Sequence, residues 1–264
     1  MGTLVFITGK SGSGKDTIEK ELLSYDRNLS SALTNQQKLI PMTLYTTRKN
    51  RDGESASDYI FLNEEEFMDK VINGIIKEDR LYYKSDNSGN PYQVRYGSSG
   101  VDFDTNNIYI GNGAIDQLKK YINMFLACKT KSMPMCDYSS LGDIYDLSKK
   151  EIHSNSNIVV IYPFVTEQER LSRLIDRSSD DENNYHEFYR RQYQDYSTFG
   201  DIYNILDNNA RYYLASNQSC MVFITFNKFS KITYCFLNNN IDYYKLHSDI
   251  IPILYKEIQN MKFE

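Results

Sequence analysis

A glycine-rich stretch near the amino terminus carries residue types that bind phosphate. Residues 9–15 read GKSGSGK, which fits the spacing G-x-x-x-x-G-K, between an apolar run and the helix-like segment DTIEKELL. In that setting the glycines let backbone N–H groups point at phosphate oxygens, the lysine supplies a cation, and the helix start adds its positive end. We predict a phosphate loop with the binding residues Gly9, Ser11, Gly12, Ser13, Gly14, Lys15, Asp16 and Thr17.

Asp16 departs from the usual form of this motif. The residue after the lysine is ordinarily Ser or Thr, whose hydroxyl helps to hold magnesium, whereas here Thr17 comes one step later. A carboxylate is a good ligand for Mg²⁺, although the same charge can also repel phosphate. We predict that Asp16 contributes to a magnesium site.

A second group of residues could bind a phosphate monoester. Residues 46–54 read TTRKNRDGE, residues 58–61 read DYIF, and residues 96–98 read YGS. Arg48 and Arg51, three positions apart, can surround a doubly charged phosphate with charge-assisted donors, and tyrosine hydroxyls can add to them. The stretch therefore predicts a second anion site.

The ordered pattern T-T-R-x-x-R-x-G-E, D-Y-x-F and Y-G-[ST] behind a phosphate loop resembles the nucleoside monophosphate-binding region of the guanylate kinase family. The resemblance covers roughly residues 3–62, 95–118, 158–192 and, more loosely, 231–260. It implies that the acceptor nucleotide is bound by Arg48, Arg51, Glu54, Tyr59, Glu78, Tyr96 and Ser98.

The charged stretch from 166 to 196 extends the resemblance. Its RLIDR segment is similar to the R-L-x-x-R of the family's lid, and the arginine pair at 190 and 191 is similar to the arginine of the second lid helix. Standing alone, such a run would as readily be a solvated helical face. The resemblance implies the catalytic residues Lys15, Arg48, Arg173, Arg177, Arg190 and Arg191.

The departures from the family pattern fall mostly on recognition of the base. Where the family has an acidic residue on the third strand, this chain has Gly111 and Asn112, and a family serine is Leu44. Glu78 lies further from the YGS motif than the family spacing, with an apparent insertion at 84–94 between them. Asp58 and Asp116 could compensate, so the base preference of the acceptor stays open.

Composition limits the function classes. The chain has 264 residues, 41% of them apolar, and a net charge of −5, so we expect a globular protein without affinity for nucleic acid or anionic membranes. No apolar run approaches the ~18 residues that span a bilayer, and no basic leader is present, which favours the cytoplasm. Neither a zinc site nor a disulfide framework is predicted from Cys128, Cys136, Cys220 and Cys235.

Alternating strand-like and helix-like segments predict an α/β fold. We expect a P-loop kinase with a parallel central sheet, helices on both faces, a small mixed-β monophosphate-binding subdomain and a helical lid. A single domain is predicted, with a core of 1–42, 101–165 and 200–264, a monophosphate-binding subdomain of 43–100 and a lid of 166–199. The segments 84–94, 129–157 and 207–219 are interpreted as insertions or loops.

These features favour an ATP-dependent nucleoside monophosphate kinase that uses Mg²⁺, with GMP or dGMP as the first acceptor to test. One alternative is a kinase of the same fold that acts on a different nucleotide or a sugar phosphate, because guanine-reading residues are altered. Another is a catalytically silent guanylate-kinase-like module that binds a phosphorylated or acidic peptide. The oligomeric state cannot be derived from the sequence.

Overall fold

The computed structural model describes residues 2–30, 37–50, 59–85, 90–102, 105–127, 157–178, 184–199, 221–225 and 232–260. The chain divides into two compact units. The first unit comprises residues 1–40 and 103–264, and the second comprises residues 41–102.

The described residues form ten strands and seven helices, which are numbered in chain order. The strands are β1 Thr3–Ile7, β2 Leu39–Pro41, β3 Leu44–Thr46, β4 Ile60–Phe61, β5 Glu78–Ser85, β6 Pro91–Ser98, β7 Ile108–Asn112, β8 Asn157–Phe164, β9 Met221–Thr225 and β10 Ile232–Asn238. The helices are α1 Lys15–Ser30, α2 Glu64–Ile72, α3 Ile115–Ala127, α4 Glu167–Ser178, α5 Asn184–Phe199, α6 Tyr243–Lys245 and α7 Ile251–Asn260. A π-helical turn, Leu246–Ile250, joins α6 to α7.

The first unit is built on a six-stranded sheet with the order β2-β7-β1-β8-β10-β9. Strands β7, β1, β8 and β10 pair with one another in parallel, which confirms the predicted parallel sheet. Every residue of β1 is buried, as expected for an apolar strand that is covered on both faces. Strand β9, which the sequence analysis did not predict, pairs antiparallel with β10 at the sheet edge.

Helices cover both faces of this sheet. On one face Val5 and Ile7 belong to a core that also contains Ile18 of α1 and Leu254 of α7. On the other face the ring of Phe6 contacts Tyr121 of α3 edge-on, with ring centroids 5.7 Å apart. Because side chains alternate along a strand, β1 supplies apolar contacts to both helical layers.

The second unit is a four-stranded sheet with the order β4-β3-β6-β5, packed against α2. Helix α2 begins with a capping box, in which Asn63 and Glu66 each bind the other's backbone N–H. A small core of Tyr45, Phe67 and Ile76 joins the helix to the sheet. This mixed sheet agrees with the fold class expected from the sequence.

One predicted insertion has a different structure from the one expected. Much of the segment 84–94 belongs to a hairpin, because β5 and β6 pair antiparallel from Glu78–Ser98 to Ser85–Pro91. The apparent insertion therefore lengthens two paired strands. The predicted insertions 129–157 and 207–219 lie almost wholly outside the described residues.

The predicted lid segment forms two helices, α4 and α5, in the first unit. No described helix is long and apolar enough to cross a membrane. Cys235 is buried and reduced, and burial raises the pKa of its thiol. The other three cysteines lie outside the described residues, within which no cluster of His, Cys, Asp or Glu could hold a metal ion.

Candidate active site

The predicted phosphate loop connects β1 to α1, at the carboxyl end of a strand near the middle of the sheet. Gly12 and Gly14 have φ angles of +80° and +86°, a left-handed conformation that glycine adopts without steric cost. The Nζ of Lys15 donates to the carbonyls of Gly9 and Lys10, at 2.9 Å and 3.0 Å. The loop thus holds its lysine against its own backbone.

Asn239, in the turn after β10, supports the loop from outside. Its Nδ2 donates to the carbonyl of Ser13 at 2.7 Å, in a buried position. A Cβ at Gly14 would lie 2.4 Å from that same Nδ2, so this position requires glycine for space as well as for φ. Asn239 is not among the site residues predicted from the sequence.

Arg173 of the predicted lid lies beside the loop. Its Nη2 donates to the carbonyl of Asn239 at 2.9 Å, and its Nε donates to Glu169 at 2.9 Å. Its Nη1 is 3.7 Å from the position that a Cβ would take at Gly14. A guanidinium at this place can interact with a phosphate bound in the loop.

The remaining predicted lid arginines are located only by their backbone. Arg177 belongs to α4, and Arg190 and Arg191 belong to α5, but their side chains are outside the described part of the structure. Their catalytic roles remain predictions.

Arg170, to which sequence analysis assigned no role, is fully buried between the lid helices and the phosphate loop. It donates to Glu167, to Asp195 and Gln192 of α5, and to the carbonyl of Ser11. Burying a guanidinium is costly unless its donors are satisfied, and here they are. Only its place within a charged helical run could have suggested it from the sequence.

The residues proposed for magnesium lie at the start of α1. Asp16 is exposed in the first helical turn, and Thr17 is half-buried beside it. Carboxylate and hydroxyl oxygens are ligands that Mg²⁺ accepts, so this pair fits the ion chemically.

In the second unit the residues of the YGS motif alternate between the two faces of the sheet. Tyr96 and Ser98 lie on one face of β6, and Gly97 lies on the other. A Cβ at Gly97 would come within 2.8 Å of the Phe67 ring and within 2.6 Å of Ile76. The glycine therefore allows α2 to pack closely, while its two neighbours occupy the opposite face.

Arg48 and the aromatic residues predicted to bind phosphate form one cluster. The guanidinium carbon of Arg48 is 5.1 Å from the ring centroid of Tyr59 and 5.2 Å from that of Phe61. The ring of Tyr96 contacts both Tyr59 and Tyr82 edge-on, at centroid distances of 6.0 Å and 5.6 Å. The fold thus brings together Arg48, Tyr59 and Tyr96, three residues of the predicted acceptor site.

Glu78 lies directly opposite Ser98 in the hairpin, although twenty positions separate the two residues. Both are buried, and the Ser98 hydroxyl donates to Glu78 Oε2 at 3.4 Å. Arg80 forms an ion pair with the same carboxylate, with its Nε 2.7 Å from Oε1. Glu78 and the YGS motif are therefore neighbours in the structure, although they are far apart in the sequence.

Of the remaining residues considered for the acceptor site, the structure describes one. Arg51, Glu54 and Asp58 lie outside the described residues. Asp116 forms an ion pair with Lys119 at 3.5 Å on the half-exposed start of α3.

Asn112, at the end of β7, stands near the place where the family carries an acidic residue. Its side-chain amide donates to the Glu19 carboxylate of α1. A carboxylate thus does reach the end of this strand, but it comes from a different element, which no local sequence pattern indicates.

Comparison with known proteins finds similarity to guanylate kinases. The chain is 37% identical over 82 residues to guanylate kinase from Lactiplantibacillus plantarum, which is 31% of this chain and 35% of the relative. It is 42% identical over 69 residues to the Prochlorococcus marinus enzyme, which is 26% of this chain and 32% of the relative. These matches support the guanylate kinase family. They confirm the resemblance found in the motifs.

The match to these guanylate kinases is partial. The chain spans about a third of the length of the curated relatives it matches, including 31% of the guanylate kinase of Bacillus cereus, to which it is 40% identical over 73 residues. No family model matches the chain. A search of solved structures found guanylate kinase from Anaplasma phagocytophilum with 14% identity and a TM-score of 0.41, covering 97% of this chain and 86% of that one.

Proposed function

We propose that the chain is an ATP-dependent nucleoside monophosphate kinase that transfers the γ-phosphoryl group of Mg-ATP to GMP or dGMP. The observation that carries this proposal is the loop between β1 and α1, with two left-handed glycines and a lysine held at its rim. Such a loop binds phosphate through backbone N–H groups and the positive end of the helix.

The donor nucleotide would be held by the first unit. Lys15 would contact the β- and γ-phosphates, and Arg173 would neutralise charge that develops on the transferred group. Asp16 and Thr17 would hold the magnesium ion, directly or through water, and the bound ion would offset the charge of the phosphates. Catalysis of phosphoryl transfer needs positioning and charge neutralisation more than covalent chemistry. The loop and the arginines would supply both.

The acceptor would bind to the second unit. Arg48, Tyr59 and Tyr96 would bind its phosphate, and Glu78 with Ser98 would bind the edge of the base. An ionised carboxylate accepts hydrogen bonds only, which suits the adjacent N–H groups of guanine. Adenine presents a lone pair at the corresponding ring nitrogen, so the same carboxylate would disfavour AMP.

A single assay tests the proposal. Purified protein with Mg-ATP is incubated with GMP, dGMP, IMP, AMP, CMP, UMP and a set of sugar phosphates, and ADP release is measured. Turnover with GMP or dGMP alone supports the proposal. Turnover with another acceptor alone favours a different kinase, whereas ATP binding without turnover of any acceptor favours a binding module.

The Lys15→Met variant provides the control for that assay. Because Lys15 would act on the transferred phosphoryl group, its loss should abolish ADP release with every acceptor. ADP release that persists in this variant would come from a contaminating enzyme or from a site other than the phosphate loop.

A further inference from the structure

Arg170 is the largest fully buried side chain that the structure describes, and it is charged. Its Nη2 donates to Glu167 at 2.7 Å and to Gln192 at 2.5 Å, while its Nη1 donates to Asp195 at 3.3 Å. These partners belong to both lid helices. A buried guanidinium with this many partners fixes the geometry of the groups around it, because losing any one leaves a buried polar atom unsatisfied.

The same residues bind the phosphate loop through Ser11. Arg170 Nη1 donates to the Ser11 carbonyl at 3.2 Å, and the Ser11 N–H donates to Asp195 Oδ2 at 2.9 Å. Both backbone groups of one loop residue are therefore bound by one ion pair. A further contact joins Lys10 to Glu167, with Nζ and Oε1 2.5 Å apart.

Helix α4 also packs directly on the loop. A Cβ at Gly12 would lie 3.1 Å from the Arg170 carbonyl and 3.1 Å from Leu174 Cγ, so no side chain separates the two backbones. Arg173 lies one turn after Arg170 on this helix, beside Gly14. A displacement of α4 would thus move Arg173 relative to the loop.

The ionisation of the Asp195 carboxyl is affected by its burial and by groups of the phosphate loop. Burial raises the pKa of the Asp195 carboxyl, and the Ser11 N–H together with the charges of Lys15 and Arg170 oppose that rise. The charge of Lys15, the residue that would bind the β- and γ-phosphates, thus favours the ionised form of Asp195.

We infer that Arg170 and Asp195 form a clamp that sets the phosphate loop against the lid helices and so positions Lys15 and Arg173 for a bound nucleotide. Both are positioning residues, since they act through the loop and through α4. The inference rests on the proposed function, because it assumes that the loop binds a nucleoside triphosphate. It adds two residues and a mechanism of pre-organisation to the donor site.

The experiment measures nucleotide binding apart from turnover. Dissociation constants for a fluorescent ATP analogue and thermal unfolding midpoints are determined for the wild type, Arg170→Met, Asp195→Asn and the double variant. Arg27, exposed in the last turn of α1, supplies the matched control as Arg27→Met. Arg170→Lys tests the need for a forked guanidinium, because lysine retains the charge without the planar geometry.

If the clamp positions the loop, Arg170→Met weakens analogue binding by roughly 10-fold to 100-fold, since misplacement by about 1 Å has effects of that order. The double variant binds the analogue at most about 3-fold more weakly than Arg170→Met does, because the two residues act as one unit. KM for the acceptor stays within about 3-fold of the wild type. Arg170→Lys is intermediate, and Arg27→Met is unchanged.

A purely structural role predicts a different outcome. Folded Arg170 and Asp195 variants that have lower unfolding midpoints but bind the analogue as the wild type does would overturn the clamp. Should Arg170→Met fail to fold, Asp195→Asn and Arg170→Lys decide the question by the same measurement. Wild-type protein that does not bind ATP would overturn the proposed function and the clamp together, whereas binding without turnover would contradict only the proposed reaction.

Discussion

We propose that the two units bind their substrates in different ways. Around the phosphate loop, the proposed binding groups are backbone atoms, and buried side chains such as Arg170 and Asn239 hold that backbone in place. On the face of β5 and β6, the proposed binding groups are side chains on an ordinary pleated sheet, with Tyr96 assigned to the phosphate and Glu78 to the base. We expect changes near the loop to affect every substrate, and changes on the sheet face to affect the acceptor alone.

The largest effect is expected from Gly14→Ala. The new Cβ would lie 2.4 Å from Asn239 Nδ2 at a φ of +86°, so the loop must distort. We expect kcat/KM to fall on the order of 10²-fold or more with every acceptor, with weakened ATP binding. Steady-state kinetics and ATP-analogue titration check this.

Gly74→Ala is the matched control for that change. Gly74 also has a positive φ, +69°, but a Cβ there would meet nothing within 4 Å. Because alanine is disfavoured at this φ angle, the variant should lose about 1–2 kcal/mol of folding stability. Its ATP binding should not change. Equal losses of ATP binding in the two variants would show that left-handed strain alone, and not the contact with Asn239, explains the effect.

A smaller effect, confined to the acceptor, is expected from Arg48→Ala. Its guanidinium packs on the rings of Tyr59 and Phe61, and its loss would remove a charge-assisted contact to the acceptor phosphate. We expect the acceptor KM to rise by roughly 10-fold to 100-fold, with ATP binding unchanged. Wild-type kinetics in this variant would remove Arg48 from the site.

Glu78→Gln tests whether this carboxylate determines which nucleotide base is accepted. The amide keeps the shape of the carboxylate but presents a donor to the base, so preference for GMP over AMP should fall by about 10-fold or more. The exposed Glu65, on α2, gives a control as Glu65→Gln. An unchanged ratio of kcat/KM for GMP and AMP would place base recognition elsewhere.

The smallest effect concerns the pH dependence of stability. Burial raises the pKa of Asp195 above its ordinary 3.8, so the native state retains this proton to higher pH than the unfolded chain does. The group therefore costs stability as pH rises above 3.8, and the cost is complete above the native pKa. Relative to the wild type, Asp195→Asn should gain stability as pH rises through that window, and denaturant unfolding from pH 3.5 to pH 7 measures it. A constant difference would contradict the raised pKa.

Sequence reasoning succeeded where a signal is local. The glycine spacing before α1 predicted a loop between β1 and α1, and the alternation of strand-like and helix-like segments predicted the α/β fold. The antiparallel edge strand β9 was missed, because its short apolar run, Met221–Thr225, does not specify the direction of pairing.

The parts that sequence could not predict depend on contacts between distant segments. Asp195 reaches Ser11 across 184 positions, and Asn239 reaches Ser13 across 226. No periodicity or motif marks either residue, since each contact joins segments that lie far apart in the chain. Buried Arg170 was missed for a related reason, because a charged helical run ordinarily indicates a solvated surface.

The hairpin of β5 and β6 has a consequence for how such a protein can change over time. Residues added in pairs at its turn end, beyond the Ser85–Pro91 pair, lengthen both strands equally and leave the Glu78–Ser98 register unaltered. The number of residues between these two positions can then change without altering their pairing. Inserting a peptide or a reporter between Ser85 and Pro91 is therefore expected to leave the Glu78–Ser98 pair in place.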